Sequence, residues 1–136
     1  MSESQNFAIA QDFLERMGKG DSTEKVAELF SEPLDWHIPG DVGAQPWLGK
    51  QKGRQAVIDF ISNTGAMITR EKLEVHDILG NDTKAIILGK LGSRLNANGN
   101  RIETDFAVIL TISDGLISRY LMLEDSFAVS QASRAT

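Results

Sequence analysis

Apolar residues recur at helical spacing in the first part of the chain and at a spacing near two from residue 70 onward, and this change of period sets the expected architecture. Phe7, Ala10, Phe13, Leu14 and Met17 share one face of a helix that Gly18-Lys19-Gly20 stops. Asp21-Ser22-Thr23-Glu24 opens a second, shorter helix with N-cap chemistry, striped by Val26, Ala27, Leu29 and Phe30 and ended by Pro33. Residues 34–38 predict a short strand. Between Pro39 and Gly53 glycine and proline are too dense for a helix. Arg54 to Asn63, with Ala56, Val57, Phe60 and Ile61, predicts a third helix closed by Gly65.

Strand patterns follow. Leu73, Val75 and Ile78-Leu79 run to a turn at Gly80-Asn81-Asp82, and Lys84 to Leu95 is the hairpin partner. Asn96 to Asn100 is a second turn, Arg101 to Ile112 a third long strand, and Asp114-Gly115 a turn into a last strand, Leu116 to Phe127. Helices followed by a meander predict one α+β domain over residues 1–136, three helices and then long antiparallel strands, with Ser130 to Thr136 a frayed end.

In the simplest register Ala85, Ile87, Gly89 and Leu91 share a face with Phe106, Val108 and Leu110, and that face covers the helices. The opposite face carries Ile86, Leu88, Ala107, Ile109, Leu121 and Leu123 beside Lys90, Arg94, Asp105 and Arg119. It is too apolar for a freely wetted surface, so a homodimer joined through the sheet is expected.

Composition excludes several chemistries. The 136-residue chain has no cysteine, hence no disulfide, thiolate nucleophile or cysteine-based zinc site, and its two histidines make a histidine-rich metal centre a poor fit. No cofactor is implied. A net charge of −5 without a run of Lys or Arg argues against nucleic acid. No apolar run suits a membrane span or secretory signal, which points to a cytoplasmic protein.

Candidate chemistry gathers where both tryptophans sit beside tight turns. Trp36-His37-Ile38-Pro39-Gly40-Asp41 is followed by Pro46-Trp47-Leu48-Gly49 and Gly53-Arg54, and this crossing is the expected mouth of a pocket. With Met17-Gly18-Lys19-Gly20-Asp21 and Asp114-Gly115-Leu116-Ile117, these segments make the chain resemble the nuclear transport factor 2-like superfamily in its SnoaL-like and ketosteroid-isomerase-like branch. The resemblance covers nearly the whole chain. It implies a cone-shaped α+β domain in which three N-terminal helices pack on a curved, mostly antiparallel sheet and enclose an apolar pocket, in a family of isomerases, cyclases, dehydratases, epoxide hydrolases and binding modules.

The same resemblance places Ile38 where steroid isomerases carry their general base, Phe13 in place of the oxyanion tyrosine, and Ala107 or Val108 in place of the second oxyanion donor. None of these side chains moves a proton. Met122 stands where polyketide cyclases carry an aspartate, and Gly89 and Leu91 near the Arg and Asp positions of limonene epoxide hydrolases. The polar groups left near the pocket are Tyr120, Glu124 and Thr104. His37 is a candidate base beside Ile38, although strand alternation points it away, and Tyr120 with Glu124 could supply a hydroxyl and a carboxylate on either side of Met122. Asp41 and Arg54 are expected to pair and pin the loop to the third helix, and His76 is expected on the solvent face.

The expected pocket is lined by Phe13, Trp36, Ile38, Trp47, Phe60, Leu91, Phe106, Val108, Tyr120 and Met122 and accepts a small apolar molecule. Two uses remain open: an isomerase, cyclase or hydrolase working through His37 or through Glu124 and Tyr120, or a non-catalytic binding protein whose pocket accepts an apolar or carboxylated metabolite.

Overall fold

The computed structural model describes residues 3–135. Helix α1 (Glu3–Lys19) leads into the short α2 (Thr23–Ala27), strand β1 (Phe30–Ile38), an edge strand β2 (Gly49–Lys52) and helix α3 (Gln55–Met67). Strands β3 (Ile68–Gly80), β4 (Lys84–Leu95), β5 (Arg101–Ser113) and β6 (Leu116–Glu124) form the meander, and helix α4 (Ser126–Arg134) closes the chain. The six strands make one sheet in the order β2-β1-β6-β5-β4-β3, antiparallel except for β1 against β6. Among the described residues no helix is long and apolar enough to cross a membrane.

Local chemistry accounts for the element ends. Ser22 caps α2, its hydroxyl accepting from the Lys25 N–H at 3.3 Å. Asp114 and Gly115 both have positive φ, 51° and 79°, as a two-residue turn matching the twist of β5 and β6 requires. Gly89 answers a different need. A Cβ there would stand 2.0 Å from the Glu74 carbonyl oxygen and 2.9 Å from the Phe106 ring, so only glycine lets β3 and the ring close on β4.

The meander has the expected register: Ala85 faces Leu110, Ile87 faces Val108 and Gly89 faces Phe106, on the side buried by the helices. Across the outer face Ile86, Leu88, Ile109 and Leu121 are half-buried while Leu123 is exposed.

Four expectations change. The second helix stops at Ala27, because Phe30 begins β1 and is fully buried there instead of joining a helical stripe. The third helix runs through Gly65 to Met67, since tertiary packing of its apolar face outweighs one helical glycine. Strand β2 went unpredicted because four polar-spaced residues on an edge carry no period. The last strand ends at Glu124 rather than Phe127, and Ser126 to Arg134 forms α4 where fraying was expected; Thr136 lies outside the described residues. The cap is Asp125, whose carboxylate accepts from the Ala128 N–H at 3.0 Å.

Candidate functional site

A cavity of about 60 Å³ lies between the inner face of the sheet and a cover made by α3, α4 and the loop bearing Trp47. Ile38, Trp47, Phe60, Ile68, Leu91, Ile102, Met122 and Val129 give it apolar walls, and Thr64, Arg70, Ser93 and Glu124 are its polar members. At roughly 15 Å³ per enclosed water, the free space holds about four waters, the bulk of one small ring.

Alternation along β6 turns Tyr120, Met122 and Glu124 to the same side, but the three have different surroundings. Tyr120 is 3 % exposed and lies in the packed core, stacked on Trp36 with ring centroids 4.0 Å apart and planes 6° from parallel. Its hydroxyl points at the Met122 sulfur, 3.8 Å away, and burial raises its pKa far above the ordinary tyrosine value. Glu124, at the open end of the strand, reaches the cavity. Burial, assisted by the neighbouring charge of Asp125, lifts its carboxyl from 4.5 to about 7. Among the described residues the Glu124 carboxyl has no hydrogen-bond or ion-pair partner.

Thr104 fixes the chain immediately after Glu124. Its hydroxyl accepts from the Asp125 N–H at 2.8 Å and donates to the Asp105 carbonyl at 2.7 Å, tying β5 to the start of α4. The α4 cover is latched separately. Asp41 accepts from Ser130 Oγ at 2.7 Å and from Arg134 Nε at 2.6 Å, Gln45 donates to Ser133 at 2.8 Å, and Asn98 and Asn100 each donate to the Ala132 carbonyl at 3.0 Å. The Arg134 hydrogen bond, then that of Ser130, lowers the Asp41 pKa to about 2.

Of the pocket residues expected from sequence, Ile38, Trp47, Phe60, Leu91 and Met122 line this cavity. Phe13, Trp36 and Tyr120 instead pack together with Phe30, while Phe106 lies over Gly89 and Val108 is buried in the core. His37, the candidate base, is not among the residues that line this cavity. Because Ile38 faces inward its neighbour turns outward, to a surface groove with Asp35, Lys50 and Arg119. Tyr120 and Glu124 do share one side of β6, but the Tyr120 hydroxyl is enclosed by the core and does not line the cavity. Asp41 and Arg54 do not pair: Asp41 binds α4, whereas Arg54 donates to the Phe30 carbonyl at 2.8 Å and contacts Glu32. His76 is exposed, 3.1 Å from Glu74.

Arg70, Ser93 and Val129 were not singled out from sequence. Ser93 continues the inward alternation Ala85, Ile87, Gly89, Leu91, and Arg70 is its direct partner on β3, so the β3–β4 register would have found both. Val129 was hidden with its helix. Among the described residues no group of three His, Cys, Asp or Glu side chains could hold a metal ion.

Comparison with known proteins adds a family and a fold. The model of the SnoaL-like domain matches residues 10–120. No curated protein matches the chain. Among solved structures it is similar to an NTF2-like protein from Burkholderia xenovorans LB400, at 22% identity over 98% of this chain and 99% of that one, with a TM-score of 0.88. It is also similar to a provisionally assigned isomerase from Rhodopseudomonas palustris, at 16% identity over 83% and 84% of the two chains, TM-score 0.72. TerC, co-crystallised with polyporic acid, shares 15% identity over 96% of this chain and 99% of that one, TM-score 0.80. Likeness at these identities is one of fold.

Proposed function

The chain belongs to the SnoaL-like domain family, and from that premise we propose that it is an acid–base enzyme of the isomerase or cyclase type, acting on a small hydrophobic molecule through Glu124. The observation that carries this reading is the placement of one carboxyl group, free of protein partners among the described residues, on the wall of an otherwise largely apolar cavity. Such a group exchanges protons near neutral pH because its ionised form lacks solvation.

In the proposed step the Glu124 carboxylate removes a proton from carbon next to a carbonyl. The C–H electron pair becomes the C=C bond of an enolate, the carbonyl π electrons move to oxygen, and the protonated Glu124 returns the proton to carbon. Met122, Ile38 and Leu91 form the apolar wall around this exchange, and Glu124, itself only half-buried, trades its proton with solvent between cycles. The steroid-isomerase positions Ile38 and Phe13 take no part, so the chemistry rests on a different strand position from the one in that branch.

The test is hydrogen–deuterium exchange at the benzylic carbon of benzyl methyl ketone in heavy water, followed by NMR. Wild-type protein should accelerate exchange with an apparent pKa near 7, and Glu124→Gln should abolish the acceleration. If the ketone binds but exchanges no faster than in buffer, the pocket serves binding alone.

The outer sheet face supports a second part of the reading, a homodimer. Half-buried Ile86, Leu88, Ile109 and Leu121 adjoin the exposed Leu123, an apolar strip that a second copy of the same face would bury.

A further inference from the structure

One end of the cavity has a polar construction that proton transfer by Glu124 does not use. Arg70 on β3 and Ser93 on β4 are direct partners in the sheet, and Ser93 is in turn paired with Ile102 on β5. All three line the cavity. Ser93 is 5 % exposed, yet among the described residues its hydroxyl has no hydrogen-bond partner. Thr64, by contrast, directs its own hydroxyl back to the Phe60 carbonyl at 2.7 Å.

Arg70 is exposed at the rim and has no ion pair among the described residues. Nearby carboxylates are engaged elsewhere. Glu71 binds Arg101 at 3.1 Å and Arg94 at 3.8 Å, and Glu74 binds Lys72 and His76, each at 3.1 Å. Glu124 shares the cavity but is not paired with Arg70, and burial favours its neutral form. The guanidinium therefore keeps an uncompensated charge beside a hydroxyl that has no protein partner among the described residues and is open to the cavity.

We propose that Arg70 and Ser93 form an anion-recognition corner, so that the ligand is a small apolar or single-ring molecule carrying one carboxylate. This rests on the pocket reading above and names its ligand class. The planar guanidinium offers paired N–H donors to the two carboxylate oxygens and the Ser93 hydroxyl offers a third. The ring occupies the apolar space among Phe60, Leu91 and Met122, whose volume admits about one ring, while the charge stays at the rim where water still reaches it. That division avoids the cost of burying a carboxylate whole.

The experiment is isothermal titration calorimetry with phenylpyruvate and with benzyl methyl ketone, which replaces the carboxylate by a methyl group, on the wild type, Arg70→Gln and Ser93→Ala. Wild-type protein should bind phenylpyruvate at least tenfold more tightly than the ketone, as a charge-assisted hydrogen-bonded pair implies. Arg70→Gln should bring the two to parity by weakening phenylpyruvate only, and Ser93→Ala should remove a smaller part of the preference. Equal binding of the two compounds, or a preference that survives Arg70→Gln, overturns the anion corner and leaves the apolar pocket standing. Failure of both compounds to bind the folded wild type overturns the pocket reading and the corner with it.

Discussion

Replacing Glu124 by Gln should make the protein more stable, and only above mildly acidic pH. Lifting the carboxyl from 4.5 in an unfolded chain to about 7 in the folded one means that at pH 8 folding holds an ionised group where it is poorly solvated, a penalty of about 3 kcal/mol. For a carboxyl raised by folding the penalty is absent below 4.5, grows between 4.5 and about 7 as the unfolded state releases its proton first, and is complete above 7. Glutamine keeps the shape and never ionises. At roughly 3 °C per kcal/mol for a domain of this size, the variant should melt about 10 °C above the wild type at pH 8. The two should melt together at pH 4. Thermal unfolding of both proteins by circular dichroism from pH 4 to 8.5 reads this directly. A melting difference that stays constant over the range, or a variant less stable at pH 8, would refute the reasoning. A group that costs the fold this much is the kind retained for function.

Three further perturbations test the surrounding structure. Gly89→Ala forces a methyl against the Glu74 carbonyl and the Phe106 ring, and should cost about 3 kcal/mol in urea unfolding, at the upper end of overpacking effects; an unchanged midpoint would mean that β3 and Phe106 are not closed on β4. Asp41→Asn should speed amide exchange across residues 126–134 at pH 6, and because the Asp41 carboxyl is held down to about 2, the difference from wild type should fade only as pH falls from 3.8 toward that value. Leu121→Arg should convert a dimer to a monomer by light scattering with little change in fold, and a monomeric wild type at micromolar concentration would remove the proposed interface.

The long elements could be read from sequence because their periods are sustained: α1 and β4 to β6 bury one apolar face, the largely exposed β3 still places Leu73, Val75 and Leu79 at alternate positions, and Asp114-Gly115 specifies its turn by backbone sterics alone. Shorter elements could not. Phe30 fits a helical stripe as well as a strand start, and its partner across the sheet, Ile117, lies 87 residues away in a parallel pairing that no local pattern reveals. α4 was concealed by its small and polar composition, although Asp125 followed by Val129 and Ala132 carried a cap and a spacing.

The site divides along the same line. Alternation correctly turned Ile38, Leu91, Met122 and Glu124 to one side, and also turned His37 away from it. It could not tell which inward residues face free space and which are filled by neighbours. Trp36 and Tyr120 stack on each other, so their shared face of the sheet becomes solid core while Met122 and Glu124, nearer the strand end, meet the cavity. Arg70 and Ser93 escaped notice because their meeting depends on the register between β3 and β4 rather than on either segment alone.

The central claim is that Glu124 holds its proton into the neutral range within the cavity, and the direct measurement is the side-chain carboxyl chemical shift of 13C-labelled protein through a pH titration, with Glu124→Gln providing the assignment. A carboxyl resonance that is missing from the variant should titrate near 7. A Glu124 resonance titrating near the ordinary 4.5 would contradict it, leaving an ionised surface carboxylate in place of the proposed acid–base group.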